Sequence, residues 1–236
     1  MPKFDIVYIL KEGIEPDELK YSLRSVEANF PHNKVWFVGG KPDGLFPDCS
    51  LYHRQYGETK WDMIKNSMLK VVAREELTDK FFLFNDDFFV MKPFEGEFVN
   101  YADRTLTDRV EDFRKENEWL LPYARTLQKA REELKSLGKG EVNFDVHMPM
   151  LFEKAKVKSI LQCSSPQMRS IYGNLNDCEY IEHKDVKICD LNKVPEQDAD
   201  FLSTNEKSFA DGKVGQFIRG VFSTPSRFET PVPKGV

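Results

Sequence analysis

The chain has 236 residues, 40% of them hydrophobic and 13% aromatic, with 34 basic against 39 acidic side chains and a net charge of −5. This is enough apolar material for the packed core of one sizeable domain or two small ones, and it excludes a disordered chain. The charge excludes an overall basic field that would draw polyanions, and no run reaches the roughly 18 apolar residues of a membrane helix.

The opening "MPKFDIVYIL" is too short and too acidic for a signal peptide and reads as a first strand. Pro16 then opens a helix whose apolar positions Leu19, Leu23 and Val26 recur at helical spacing. "KVWFVGG" predicts a second buried strand ended by glycines, and "LYHRQY" a third. "KWDMIKNSMLKVVAREEL" is amphipathic, with Trp61, Ile64, Met68, Val71 and Val72 on one side. "KFFLFNDDFFV" follows as a further strand. Strand and helix in alternation imply an α/β fold with a mainly parallel central sheet flanked by helices.

Residues 102–137 are highly charged and predicted mostly helical, broken in two at Pro122, and 102–140 is read as a helical insertion beside the sheet. "GKGEVNFDVHMPMLF" returns to strand character and "EKAKVKSILQ" to a short helix. "SSPQMRSIYGN" reads as a helix with Gly173 and Asn174 at its end, and "FLSTNEKSF" as a capping box from Ser203 to Glu206. The proline-rich tail is expected to wrap the surface or fray. With no repeat and no low-complexity linker, 1–236 reads as one domain. Cys49, Cys163, Cys178 and Cys189 are scattered with no C-x-x-C, which points to reduced thiols in a cytoplasm.

Two polar interruptions carry the chemistry. Asn85, Asp86 and Asp87 break an aromatic strand, where an unpaired carboxylate would cost several kcal/mol. An ordinary acidic turn is one explanation. A divalent metal site at a strand end is the other, because ligands of open α/β sheets bind beyond the carboxyl ends of the strands. Strand alternation puts Asn85 and Asp87 on one side and Asp86 on the other. The second interruption is "NFDVHMPM", whose alternation puts Asn143, Asp145 and His147 on one strand face. Asp145 could orient His147 as a carboxylate–imidazole pair, against the plainer reading of an exposed face with a surface histidine. Arg24 and Arg169 are candidate diphosphate clamps, and Lys60 and Trp61 head a helix whose N–H groups favour anions.

These blocks together resemble the Stealth family of hexose-1-phosphate transferases and related GT-A-like nucleotide-sugar glycosyltransferases. "DIVYILKEG" with "ELKYSLRSVEANFPHNKVWFVGG" is similar to the opening strand, helix and second strand, "ELTDKFFLFNDDFFV" to the Asn-Asp-Asp block, and "HMPMLFEK" to the His-x-Pro block. "FLSTNEKSF" with "FSTPSRFE" is similar to the C-terminal block, and the region 102–140 is unmatched. The chain departs from the family in carrying "LKEG" where longer members have an aspartate-bearing turn, and in being short.

The resemblance implies a GT-A-like fold with Asp86 and Asp87 near Mn²⁺ or Mg²⁺ and the donor, Arg24 near the phosphates, and His147 at the reacting centre. Arg169 and Asn85 join Arg24 and Asp86 as donor-binding candidates, and Asp87 and Asp145 join His147 as candidates for the chemistry. The expected partners are a nucleotide-sugar, a UDP-sugar first, and an acceptor that is a saccharide or a phage hydroxymethylated DNA base. Hexose-1-phosphate transfer is the alternative chemistry, and a non-catalytic carbohydrate-binding or scaffold protein the alternative class.

Overall fold

The computed structural model describes residues 3–57, 59–95, 97–116 and 122–229. Its first part alternates as the periodicity predicts, through β1 (Asp5–Leu10), α1 (Pro16–Asn29), β2 (Val35–Gly39), β3 (Cys49–Tyr52), α2 (Lys60–Val71) and β4 (Lys80–Phe84). Next come β5 (Phe88–Val90), β6 (Asn100–Thr105), α3 (Leu106–Glu116), α4 (Pro122–Ser136), β7 (Val142–Asn143) and β8 (Met150–Glu153). The last part holds a 3₁₀ helix (Lys154–Gln162), α5 (Met168–Leu175), β9 (Tyr180–Glu182), β10 (Lys187–Ile188), β11 (Phe201–Thr204), α6 (Glu206–Asp211) and α7 (Lys213–Val221).

The main sheet has five strands in the order β3-β2-β1-β4-β8. All its pairings are parallel except that of β8, which runs antiparallel to β4. Alternation along β1 splits the core. Val7 points to the face packed by Met68 and Val71 of α2 and by Leu127, Ala130 and Leu134 of α4. Ile6, Tyr8 and Leu10 point to the other, packed by Leu19, Leu23 and Val26 of α1. Burying such side chains contributes about 1.5–3 kcal/mol each, which outweighs the local preferences of single residues. The fold is therefore the predicted α/β architecture.

The order puts a topological switch between β1 and β4. The chain leaves β1 for β2 on one side and returns to β4 on the other, which opens a crevice beyond the carboxyl ends of both strands.

Several local expectations need correction. β4 ends at Phe84, and the chain reappears in β5 as part of a separate three-stranded sheet, β10-β11-β5. Asn85–Asp87 are therefore the turn between two sheets, closed by the Phe88 N–H on the Asn85 carbonyl at 3.3 Å. Strand alternation does not apply to them. The strand character predicted over 138–152 is interrupted after Asn143, and His147 sits at φ 50° in the left-handed region. Met150–Glu153 resumes as β8, pairing with β4.

Gly173 and Asn174 lie inside α5 rather than ending it. The cap of α6 is Asn205 with Ser208, because Ser203 and Thr204 are spent in β11. The charged region opens with strand β6 before its two helices, and Pro122 heads the second of them. The tail beyond Glu229 lies outside the described residues.

Candidate active site

The crevice at the switch point is a cleft of about 1050 Å³. Ile9 and Lys11 reach it from the end of β1, and Asn85, Asp86 and Asp87 from the end of β4. Asp145, His147 and Arg169 line it too, so six of the seven predicted site residues converge there from three separate stretches of sequence.

Arg24 is the exception and a correction. Its Nε and Nη2 donate to the two carboxylate oxygens of Glu229 at 2.8 and 2.6 Å, and Nη1 donates to the Phe222 carbonyl at 2.9 Å. The guanidinium fastens α1 to the C-terminal segment, and Arg24 does not line the cleft.

Asp87 is held by the small sheet. β5 follows it directly, β11 runs antiparallel to β5, and β10 lies parallel to β11. That stacking delivers Lys187, whose Nζ donates to Asp87 Oδ2 at 2.8 Å. Burial opposes the charge on Lys187, but the Asp87 carboxylate outweighs it and raises the ammonium's pKa. The other oxygen, Asp87 Oδ1, is buried with no hydrogen-bond partner. Beside it the Asp86 carboxyl is pushed up to about 6, first by burial and then by the Asp87 charge. Glu18 of α1 completes an acidic corner. Burial drives its carboxyl up to about 7 although Thr204 Oγ1 donates to it at 2.8 Å.

On the opposite side Arg169 Nη2 donates to Asn85 Oδ1 at 2.9 Å, and the guanidinium lies 5.2 Å from the centre of the Phe88 ring. Arg169 Nε is buried without a partner, and burial lowers the guanidinium's pKa against the pull of Asp145 and Asp87. α5 can bring Arg169 this close because Gly173, one turn on, meets the Phe144 ring where a Cβ would stand only 2.4 Å away.

The predicted Asp145–His147 pair is not formed. His147 Nδ1–H donates to Asp185 at 2.9 and 3.1 Å, while Asp145 accepts from Ser170 Oγ at 2.5 Å. A carboxylate only accepts, so this bond fixes the proton on Nδ1 and leaves Nε2 as the basic nitrogen. Among the described residues Nε2 has no protein partner. Burial works against the Asp185 charge, yet the His147 bond, the Lys187 N–H and Arg109 together hold its carboxyl below the usual range.

Sequence reasoning missed Asp185, Lys187 and Glu18. A signal was present for the first two. In "DVKI" the apolar Val186 and Ile188 alternate with Asp185 and Lys187, as in a strand with one polar face. Glu18 carried none, being one acid in a helix's first turn, where acids are common. At the start of α2, Trp61 lines the cleft, and Thr59 with Asp62 forms a capping box that takes up the N–H groups of those two residues.

No protein-family model matches the chain, and no curated protein matches it. Among solved structures, the chain is similar to the galactosyltransferase LgtC, crystallised in complex with donor and acceptor sugar analogs. The identity is 11%, 98% of each chain is covered, and the TM-score is 0.49. It is also similar to the glycosyltransferase GlyE of Streptococcus pneumoniae TIGR4, at 11% identity over 63% of this chain and 45% of that one, with a TM-score of 0.30. Likenesses this low carry no argument about activity, which has to come from the cleft itself.

Proposed function

We propose that this chain is a glycosyltransferase that moves a sugar from a nucleotide-sugar donor, a UDP-sugar first, to an acceptor hydroxyl. The observation that carries the reading is the Asp86–Asp87 pair at the switch-point crevice, with a buried and unpartnered Asp87 Oδ1, facing a histidine whose Nε2 is poised as a base.

A hard divalent cation, Mn²⁺ or Mg²⁺, fits the acidic pair. Asp87 Oδ1 lacks a donor, and Asp86 resists ionisation beside it, so a cation would relieve both. Among the described residues no group of three or more His, Cys, Asp or Glu could hold a metal ion. Two carboxylates suffice where phosphate oxygens and water complete the shell, as is usual for Mg²⁺. When bound, such an ion supplies charge neutralisation at the diphosphate.

The protein's own groups have separable roles in this reading. Arg169 and Lys187 offer N–H donors to phosphate oxygens. His147 Nε2 takes the acceptor's proton as the acceptor oxygen bonds to the sugar C1 and the C1–O bond to the departing nucleoside diphosphate breaks, and Asp185 stabilises the imidazolium that results. Asp145 and Ser170 hold the loop that carries His147.

A saccharide acceptor is favoured over a DNA base. A DNA acceptor needs a basic groove, for which Lys154, Lys156 and Lys158 or the charged region 102–140 are the candidates, and two of those three lysines are already engaged. Lys154 Nζ is committed to the carbonyls of Arg74 and Leu77, and Lys156 to Glu153. Among the described residues no helix is long and apolar enough to cross a membrane.

Thermal unfolding with a panel of nucleotide-sugars, with and without Mn²⁺, tests the reading. A donor at about 100 times its dissociation constant should add roughly 2.7 kcal/mol to the wild type, and the gain should vanish in Asp87→Ala. Released nucleoside diphosphate then identifies glycosyl transfer, and released monophosphate identifies hexose-1-phosphate transfer. No stabilisation by any donor would leave a binding or scaffold protein that shares only the architecture.

A further inference from the structure

The charged insertion does more than cover the sheet. Its first helix, α3, carries Arg109, whose Nη2 lies 3.5 Å from Asp185 Oδ2. Asp185 in turn accepts from His147 Nδ1–H at 2.9 Å and from the Lys187 N–H at 3.0 Å. Arg109 and Asp185 are both largely shielded, at 21% and 19% side-chain exposure, so their attraction is screened less than a surface pair's. The Arg109 guanidinium is itself steadied 5.5 Å from the centre of the Phe113 ring, one turn along the same helix.

Asp185 sits in a loop between β9 and β10 and depends on its partners for position. His147 is in greater need of support, because a non-glycine residue at φ 50° persists only where its surroundings over-determine it. The histidine's own segment anchors the backbone on either side of it and leaves the orientation of the ring to Asp185. Asp145 faces Ser170, and the neighbouring apolar side chains Val146 and Met148 point into the core.

We infer that Arg109 is a positioning residue for His147, acting through Asp185, so that the insertion helix sets the orientation and tautomer of the candidate base. This rests on the glycosyltransferase reading only for its catalytic consequence. The structural claim, an Arg109–Asp185–His147 chain, stands apart from what the cleft binds.

The test reads both. The chain has four histidines, His32, His53, His147 and His183, so imidazole NMR signals can be assigned with His147→Gln. Arg109→Met keeps the stem over Phe113 without the charge, and Arg109→Gln keeps a donor without it. In whichever of the two leaves His32, His53 and His183 unmoved, the His147 ring signals should shift, as they should in Asp185→Asn. Arg109→Lys should bring them back towards the wild type. Unmoved His147 signals in a folded Arg109 variant would overturn the proposal.

With a turned-over donor in hand, Arg109→Met should lower kcat roughly 10–100-fold with little change in donor KM. The same substitution in a His147→Ala background should cost nothing further. Equal losses in both backgrounds would also overturn it. If the wild type transfers no sugar, the functional reading fails while the imidazole signals still decide the role of Arg109.

Discussion

Lys187 Nζ and Asp87 Oδ2 meet at 2.8 Å across 100 residues of sequence, so the acidic corner of the cleft carries a cation of its own. The pair is largely shielded, at 25% and 12% side-chain exposure. It satisfies one Asp87 oxygen and leaves the other buried without a hydrogen-bond partner. Lys187→Met should therefore destabilise the metal-free protein by about 1–3 kcal/mol, because a buried carboxylate loses the ammonium that pairs with it. Mn²⁺ should stabilise this variant more than it does the wild type, since the ion no longer shares Asp87 with an ammonium. Melting curves with and without Mn²⁺ check it, and equal metal shifts in the two proteins would show that Lys187 and the ion do not compete.

The raised carboxyls predict an unusual pH slope. Glu18 is pushed up to about 7 from 4.5, and Asp86 to about 6 from 3.8, burial being the first cause of each. Both bind a proton more tightly folded than unfolded, so their contribution is greatest at low pH and declines as pH rises through about 4 to about 7. Asp48, Asp185 and Glu229 are held low and keep their contribution across this window, losing it only in stronger acid. His32, lowered by burial, slopes the opposite way.

Glu18→Gln isolates one of these carboxyls. It should flatten the fall in stability between about pH 5 and about pH 7.5 by roughly 1–2 kcal/mol, after allowance for the solvent contact of Glu18. A parallel pH profile in the variant would mean that Glu18 ionises normally.

Two aspartates near His147 should behave differently. Asp185→Asn exchanges the acceptor of Nδ1–H for an amide that can donate instead, so the ring can flip its tautomer and lose its basic Nε2. The expected loss in kcat is about 10²–10⁴-fold, the range for a general base made ineffective. Asp145→Asn weakens the bond from Ser170 Oγ and removes a counter-charge to the buried Arg169, so it should cost less in kcat and more in stability. Steady-state kinetics beside melting curves separate the two, and the reverse ranking would restore Asp145 as the partner of His147.

The parts legible in the sequence were those written by local periodicity. β1, α1, β2, α2 and β4 each bury a face that shows in spacing alone, as Leu19, Leu23 and Val26 do on α1. The acids at 85–87 were legible as an interruption, but the end of β4 at Phe84 was not. Phe88–Val90 is as apolar as Phe81–Phe84, and only long-range pairing with Phe201–Ser203 assigns it to another sheet. Asp145 was chosen over Asp185 for the same reason. Two residues of separation suggest a pair on a strand, whereas the real partner lies 38 residues away and is brought in by tertiary structure.

Arg24 shows how a block that resembles a phosphate site can be structural. Its side chain and that of Glu229 are 10% and 15% exposed, and the two are joined by a two-pronged contact. The Glu229 pair raises the pKa of Arg24. Burial opposes the Glu229 charge, but Arg24 and the Ser226 donors hold its carboxyl below the usual range. A carboxyl held low contributes stability that is present above its unfolded pKa and lost as pH falls through the folded one. Arg24→Met leaves Glu229 shielded and without its counter-ion, held by the Ser226 donors alone, so it should cost about 3–5 kcal/mol and raise the pH at which acid unfolding begins. Donor KM, measured well below the melting temperature, should stay at the wild-type value. A variant of unchanged stability with a raised donor KM would return Arg24 to the phosphates.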